Sequence, residues 1–397
     1  MVTRRNSYLL LMGHISTDIN QGALPALLPF LIAEHGLTYT SAAGLVFASN
    51  LVSSVVQPLF GHLGDKVEKP QLMCVGILLA SGGISLMGFL DNYWVLFFSA
   101  MITGVGVALF HPEGSKLAAY VSGERKGEGM SIFAVGGNIG FAVGPIICSA
   151  LMLGIGMHGT VVFVCQGAVV ATLLLIKVKA IHAAAMLQKT AAIGLADGEQ
   201  KDNWPAFTLV SISMFCRAIV NTCLNTFIPL FWVYVLAQSV TAGNARLTVF
   251  AAAGAVATLL GGRLADRIGF SRVIMICSVA SAPLLFLFTF NRSPLVATVL
   301  VAFIGLAMSG CHSTLIVAGQ SFLPNRLGLA SGVLYGLTVS VGGIAAPGVG
   351  LIADNFGIPS ALLVLAFVGV LALVFSALIP KLPGDGIVAP ALRGDKK

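Results

Sequence analysis

Charge is what this sequence has least of. Lys, Arg, Asp and Glu make up 9% of its 397 residues, where a soluble domain carries about 25%. That scarcity excludes an ordinary soluble domain. The seven cysteines, Cys74, Cys148, Cys165, Cys216, Cys223, Cys277 and Cys311, all lie in apolar runs and none has CxxC spacing. They read as small buried hydrophobes, with no disulfide framework and no metal site implied. There is no G-x-x-x-x-G-K-[ST] loop, which argues against ATP hydrolysis. Behind Met1-Val2-Thr3-Arg4-Arg5 comes a long apolar segment without a small-residue cleavage site. It reads as a retained first helix, not a signal peptide. An enzyme built on His111 and Glu113 would need a nucleophile and an oxyanion site, and no such set is present. A channel would show rings of pore-lining residues, whereas the charges within apolar runs here are single-copy. No cofactor is expected.

What is there is apolar length. Hydrophobic residues are 57% of the chain and the mean hydropathy is +0.95. Twelve runs are long enough to cross a bilayer as helices. The fold class expected is an all-α membrane protein of two six-helix bundles. The sixth run ends near 178. A connection over 179–205, holding Lys177, Lys179, Lys189, Asp197, Glu199, Lys201 and Asp202 at or near it, separates residues 1–178 from 206–397, the latter ending in a short tail.

With both termini on one side, that side carries 19 of the 22 basic residues; Arg246 and Arg292 lie opposite and Arg217 lies within a helix. Basic loops stay cytoplasmic, so both termini and the 179–205 connection are expected in the cytoplasm. The net charge of +7 is thus a topology signal first, and no nucleic-acid partner is expected.

The halves repeat each other. Gly61-His62-Leu63-Gly64-Asp65-Lys66 matches Gly262-Arg263-Leu264-Ala265-Asp266-Arg267, and His111 matches His312, Gly127 matches Gly328 and Asn20 matches Asn221, all at one offset of 201.

Polar residues inside apolar runs are the candidate site. The first run carries His14, Asp18 and Gln21, spaced to share a helix face. A midspan aspartate costs about 2.5–3.5 kcal/mol on insertion scales and marks function by default; the bland reading is a satisfied contact between packed helices. Pro112 and Gly114 flank His111 and Glu113 and imply a broken or kinked fourth helix. Arg217, Asn221 and Asn225 form one stripe, in which a buried arginine suits a carboxylate or phosphonate. The competing reading is an ion pair of Arg217 with Asp18 or Glu113. His312 is a weaker cavity candidate, balanced against a core histidine bonded to a carbonyl. Proton coupling is assigned to Asp18, Glu113, His14 and His111, with His14 modulating Asp18. Substrate binding is assigned to Arg217, Gln21, Asn221, Asn225 and His312.

The two G-x-x-x-D-[RK] copies, Gly61 to Lys66 and Gly262 to Arg267, resemble the cytoplasmic loop signature of major facilitator transporters, whose halves are such repeats. Glu68 and Phe270-Ser271 depart from its later positions. The resemblance implies that Asp65 meets the N-terminal dipole of the eleventh helix, near Gly328, in a contact that gates the transport cycle. Helix 5, Gly136-Gly137-Asn138-Ile139-Gly140-Phe141-Ala142-Val143-Gly144-Pro145, resembles part of a drug-exporter signature. Gly140, Gly144 and Pro145 are its packing residues, and tight packing alone also explains it. With helices 1 and 4, this is similar to the fosmidomycin-resistance branch. That branch implies proton-coupled export of a small organic anion or drug-like molecule, by a monomer in the bacterial inner membrane. Proton-coupled uptake is the alternative.

Overall fold

The computed structural model describes residues 2–37, 39–123, 125–194 and 201–382. Asp197, Glu199 and the tail beyond 382, all named above, lie outside them. Apart from three short 3-10 or π segments, the regular structure described is α-helix, with no strand among the described residues. Lipid offers the backbone no hydrogen bonds, so apolar runs of this length satisfy their own as helices.

The first six helices are α1 (Val2–His35), α2 (Tyr39–Lys66), α3 (Leu72–Leu86), α4 (Tyr93–Val121), α5 (Lys126–Ile155) and α6 (Val161–Gly194). The remainder are α7 (Trp204–Tyr234), α8 (Val240–Ile268), α9 (Phe270–Phe290), α10 (Pro294–Ser309), α11 (His312–Phe322), α12 (Leu327–Gly332), α13 (Thr338–Phe356) and α14 (Ile358–Leu378). A π segment, Val333–Leu337, joins α12 to α13 without a break. Two pairs, α10 with α11 and α12 with α13, each make one membrane crossing. Eleven crossings are long and apolar enough among the described residues. The twelfth is α1, whose 34 residues suffice in length while its central polar residues dilute its hydropathy. Caps are local: Asn92 Oδ1 accepts from Trp94 N at 2.9 Å, Asn203 from Ala206 N at 3.1 Å, and Ser239 Oγ from Ala242 N at 3.1 Å.

Four features differ from the sequence expectation. The two G-x-x-x-D-[RK] stretches are the last turns of α2 and α8 and not loops. Their aspartates are therefore aimed by helical backbone. Second, of the broken or kinked fourth helix expected at Pro112, the break is absent: α4 runs continuously through it. The interruption falls instead between α10 and α11, at Gly310-Cys311. Third, α6 continues to Gly194, because the stretch after Lys179 is rich in Ala, Met, Leu, Gln and Lys, which are strong helix formers. Last, α2 begins at Tyr39 and reaches Lys66, longer than its apolar run.

Contacts divide the chain into two compact units. One comprises residues 1–124, 132–202 and 323–340; the other comprises 125–131, 203–322 and 341–397. Each takes a short segment from the opposite half of the sequence. The first unit is cored by Leu27, Leu31, Leu45, Ile84, Leu96 and Phe163. The second is cored by an aromatic group, in which Phe231 and Phe288 lie 4.7 Å apart, centroid to centroid, beside Trp232.

Candidate functional site

In the first unit, His14 and Asp18, one turn apart on α1, meet His111 from α4. His14 Nε2 is 3.2 Å from Asp18 Oδ2, His111 Nε2 is 3.2 Å from Asp18 Oδ1, and the two Nε2 atoms are 3.1 Å apart. All three side chains are buried. The outer ring nitrogens decide the chemistry. His14 Nδ1 is 2.6 Å from the Phe133 carbonyl and His111 Nδ1 is 3.0 Å from the Val107 carbonyl. A carbonyl only accepts, so each Nδ1 carries a hydrogen. An imidazole that carries no second hydrogen then presents a lone pair at Nε2. Two lone pairs and a carboxylate converge away from water, an arrangement that one added proton converts into donor and acceptors. The three atoms lie within 4.8 Å of one another, close enough to share one proton or one small cation.

The rings are fixed by stacking. His14 lies on Phe133 with centroids 4.2 Å apart, and His111 on Tyr335, from the π segment, at 5.8 Å. The small residues of α5 make room for them. A Cβ on Gly137 would stand 2.7 Å from Asp18 Oδ2 and 2.8 Å from His14 Nε2. One on Gly140 would stand 2.7 Å from Asp18 Cβ, and Gly144 packs against the backbone of Ile19 and Ala23. Pro145 lies within α5 and is half-buried. Gly137 is a site residue that sequence spacing missed, because it lies one position off the four-residue repeat of Gly136, Gly140 and Gly144.

Glu113 is elsewhere. Residues two apart on a helix point to different faces, so Glu113 does not join His111. Its Oε2 lies 2.7 Å from Lys116 Nζ, which also donates to the Gly64 carbonyl at 2.7 Å. Glu113 Oε1 is buried without a hydrogen-bond partner. Lys116 is a further residue not singled out from sequence. Its signal was the Glu-x-x-Lys spacing, which pairs side chains on one helical face. Gln21 is half-buried on α1.

Next to Gly64, Asp65 accepts from the N–H groups of Gly328 at 2.8 Å and Leu329 at 2.9 Å, at the start of α12. Gly61 approaches the backbone of Gly328 so closely that a Cβ would collide with it. The second unit holds the counterpart. Asp266 accepts from Gly127 N and Glu128 N, both at 2.8 Å, at the start of α5, and Gly262 packs on the Gly127 backbone. Free N–H groups and the helix dipole favour a carboxylate at both places. Arg263 adds an ion pair to Glu128 at 3.4 Å. Lys66 and Arg267 are exposed.

Arg217 is buried in the second unit, and its partners are neutral. Nη2 donates to the carbonyls of Ala307 at 2.6 Å and Met308 at 3.0 Å, and Nη1 to Ser278 Oγ at 3.4 Å. These carbonyls belong to the end of α10, released by the interruption at Gly310, so Arg217 caps a helix C-terminus. Of the rest of its stripe, Asn221 is half-buried and Asn225 is exposed. Asn225 Nδ2 donates to Asn221 O at 2.7 Å and Asn221 Oδ1 at 3.1 Å. His312 opens α11 and is half-buried.

A model of the Major Facilitator Superfamily matches residues 10–193 and 210–395. The chain belongs to that superfamily. Among its major facilitator relatives, the uncharacterized MFS-type transporter YfnC of Bacillus subtilis is 30% identical, with 92% of this chain and 91% of that protein covered. The fosmidomycin resistance protein of Escherichia coli is 27% identical over 91% of this chain and 90% of its own. Solved major facilitator structures share the fold. The human organic anion transporter MFSD10 superposes with a TM-score of 0.73 at 15% identity, covering 94% of this chain and 99% of that one. The transporter FucP in the outward conformation gives 0.72 at 14%, covering 94% and 98%.

Proposed function

We propose that this major facilitator transporter is a proton-coupled antiporter that exports a small drug-like molecule or organic anion by alternating access. The observation that carries the coupling is the converging Nε2 and carboxylate atoms of His14, Asp18 and His111. With a proton the buried group is neutral as a whole; without it, a net negative charge is left away from water. A state that loses the proton must bring the cluster a compensating group or water, which ties proton movement to conformation and substrate. The export direction is supported by the names of relatives, the fosmidomycin resistance protein and multidrug resistance proteins. Arg217, with Asn221, Asn225 and His312 of the second unit, is the proposed substrate anchor, and Gln21 of the first unit is proposed as a substrate-binding residue in its own right. Glu113 is the second carboxylate for coupling. Asp65 and Asp266, with Gly61, Lys66, Gly262 and Arg267, are the proposed gate, because each aspartate holds a helix N-terminus that must be released for that helix to move. We place the transporter in the bacterial inner membrane as a monomer with both termini cytoplasmic.

Uptake by symport is the second reading. It is favoured by Arg217, whose hydrogen-bond partners are neutral: an anion is the charge this buried guanidinium lacks, and an anion carried inward together with a proton moves less net negative charge.

Proteoliposomes under imposed pH gradients of each sign, with fosmidomycin as probe, test both. Antiport predicts accumulation against an opposed proton flux. Asp18→Asn is expected to keep probe binding and lose gradient-driven accumulation. Full accumulation by Asp18→Asn would remove Asp18 from coupling and leave Glu113; accumulation with the proton flux would establish symport.

A further inference from the structure

The cluster of His14, Asp18 and His111 has a second chemistry besides that of the proton. Its donors come from two helices and stand almost equidistant. His14 Nε2 is 3.2 Å from Asp18 Oδ2, His111 Nε2 is 3.2 Å from Asp18 Oδ1, and the two nitrogens are 3.1 Å apart. Ligand atoms at about 2.0–2.1 Å from a zinc ion stand roughly 3.3 Å from one another in a tetrahedron. The donors therefore already hold ligand spacing. Both outer nitrogens are tied to backbone carbonyls, His14 Nδ1 to Phe133 and His111 Nδ1 to Val107. The same arrangement fixes a metal-binding imidazole with its other nitrogen turned to the ion. Asp18 Oδ1 is buried without a hydrogen-bond donor. Gly137 completes the cradle. A Cβ there would stand 2.7 Å from Asp18 Oδ2 and 2.8 Å from His14 Nε2, so glycine leaves room beside these two donors for another atom.

We propose that His14, His111 and Asp18 form a binding site for one divalent transition cation of the zinc class. Two imidazole nitrogens suit zinc, nickel and copper, whereas calcium and magnesium take oxygen ligands. The three donors include no sulfur, which the soft monovalent ions select. Charge sets the rest of the coordination. One carboxylate against a divalent ion leaves a single positive charge in a buried place. Zinc-bound water gives up a proton near a pH of about 7, so a hydroxide or another anionic oxygen in the open position makes the complex neutral. Binding forms two metal–nitrogen bonds and a bond to the carboxylate, displaces any proton the three side chains share, and changes no oxidation state. Metal binding rests on the geometry of the cluster alone. Its consequence for transport, that a bound ion holds the place of the coupling proton, rests on the proton-coupling reading above.

The test uses the full chain, without a polyhistidine tag, in lipid nanodiscs. Zinc is titrated against a chromophoric chelator, and the zinc X-ray absorption spectrum is recorded. The expected result is one tightly held zinc per chain, with nitrogen and oxygen ligands and no sulfur. Altering a group that only supports a ligand costs about 10–100-fold in affinity, so His14→Gln, His111→Gln and Asp18→Asn should each cost roughly a hundredfold or more. Thermal melting checks their folding. Gly137→Ala removes no ligand but fills the cradle, and its loss of affinity keeps the test decisive if the ligand variants fail to fold. His182 pairs with Glu68 at 3.9 Å outside the cluster, and His182→Gln should stay within about threefold. The proposal is overturned if zinc binds no better than to empty nanodiscs, if the spectrum shows sulfur, or if the ligand variants melt normally and keep the affinity. In proteoliposomes, with fosmidomycin in large excess over zinc, zinc should also block gradient-driven accumulation. Binding without that block would leave the metal site standing and remove the cluster from coupling. Absent binding, with Asp18→Asn still uncoupled, would sink the metal site alone.

Discussion

Asp65 accepts a hydrogen bond from the backbone N–H of Gly328 at 2.8 Å, and its repeat mate Asp266 accepts one from Gly127 at the same distance. Four residues thus make one contact twice, related by the offset of 201 that runs through the sequence. The surroundings are not alike. Lys116 braces the carbonyl of Gly64 beside Asp65, while the position equivalent to Lys116 is Val317.

Replacing these aspartates should change rates before it changes affinity. An asparagine amide presents one acceptor oxygen where the carboxylate presents two, and it loses the charge. Hydrogen bonds to charged groups are worth about 1.5–3 kcal/mol, so Asp65→Asn and Asp266→Asn should each slow turnover roughly tenfold or more. Probe binding should stay within a few-fold. Parallel binding and vesicle uptake measurements check this, and a collapse of affinity at normal turnover would assign Asp65 to another role.

Gly137→Ala should impair coupling without removing any ionisable group. The added methyl would stand 2.7 Å from Asp18 Oδ2, so the cluster must shift, at a cost of about 1–3 kcal/mol. The expected outcome is loss of gradient-driven accumulation with probe binding retained. Gly154→Ala, whose Cβ would meet nothing within 4 Å, should behave as wild type in the same assay.

Arg217 should affect stability as well as binding. Arg217→Ala leaves the Ala307 and Met308 carbonyls without their capping donors, at about 1–3 kcal/mol each. A lower melting temperature in detergent is expected together with lost binding of anionic probes. Arg217→Lys, which keeps the charge but not the forked donors, should recover less than half of the melting loss. Unchanged melting for both would mean the cap is dispensable.

Topology is open to direct labelling. A cysteine at the exposed Lys201 position, in a background without reactive thiols, should react with an impermeant maleimide only in everted vesicles. Labelling in intact cells would invert the assignment made from the basic residues.

The twelve-helix superfamily fold was legible because apolar length and charge scarcity leave few other solutions. The Asp65–Gly328 contact was legible too, since it lies at the point where the signature and the repeat offset agree. The site was read less completely. His111-x-Glu113 looks like one group in a linear sequence, yet the helical period turns the two side chains apart and gives Glu113 to Lys116. Gly137 was hidden by the more regular spacing of its neighbours. The cap formed by Arg217 could not be foreseen, because it depends on an interruption after Ser309 that carries a glycine but no proline, whereas Pro112, the more conspicuous breaker, is absorbed within an unbroken α4.

The length of α6 has a practical consequence. Its 34 residues span about 50 Å at 1.5 Å each, against roughly 30 Å of hydrocarbon, so several turns stand clear of lipid as continuous helix. Chains of this size lack a soluble mass by which single particles can be aligned in electron micrographs. A helical protein spliced in register onto this rod would continue the axis of α6 and would give such images a rigid landmark.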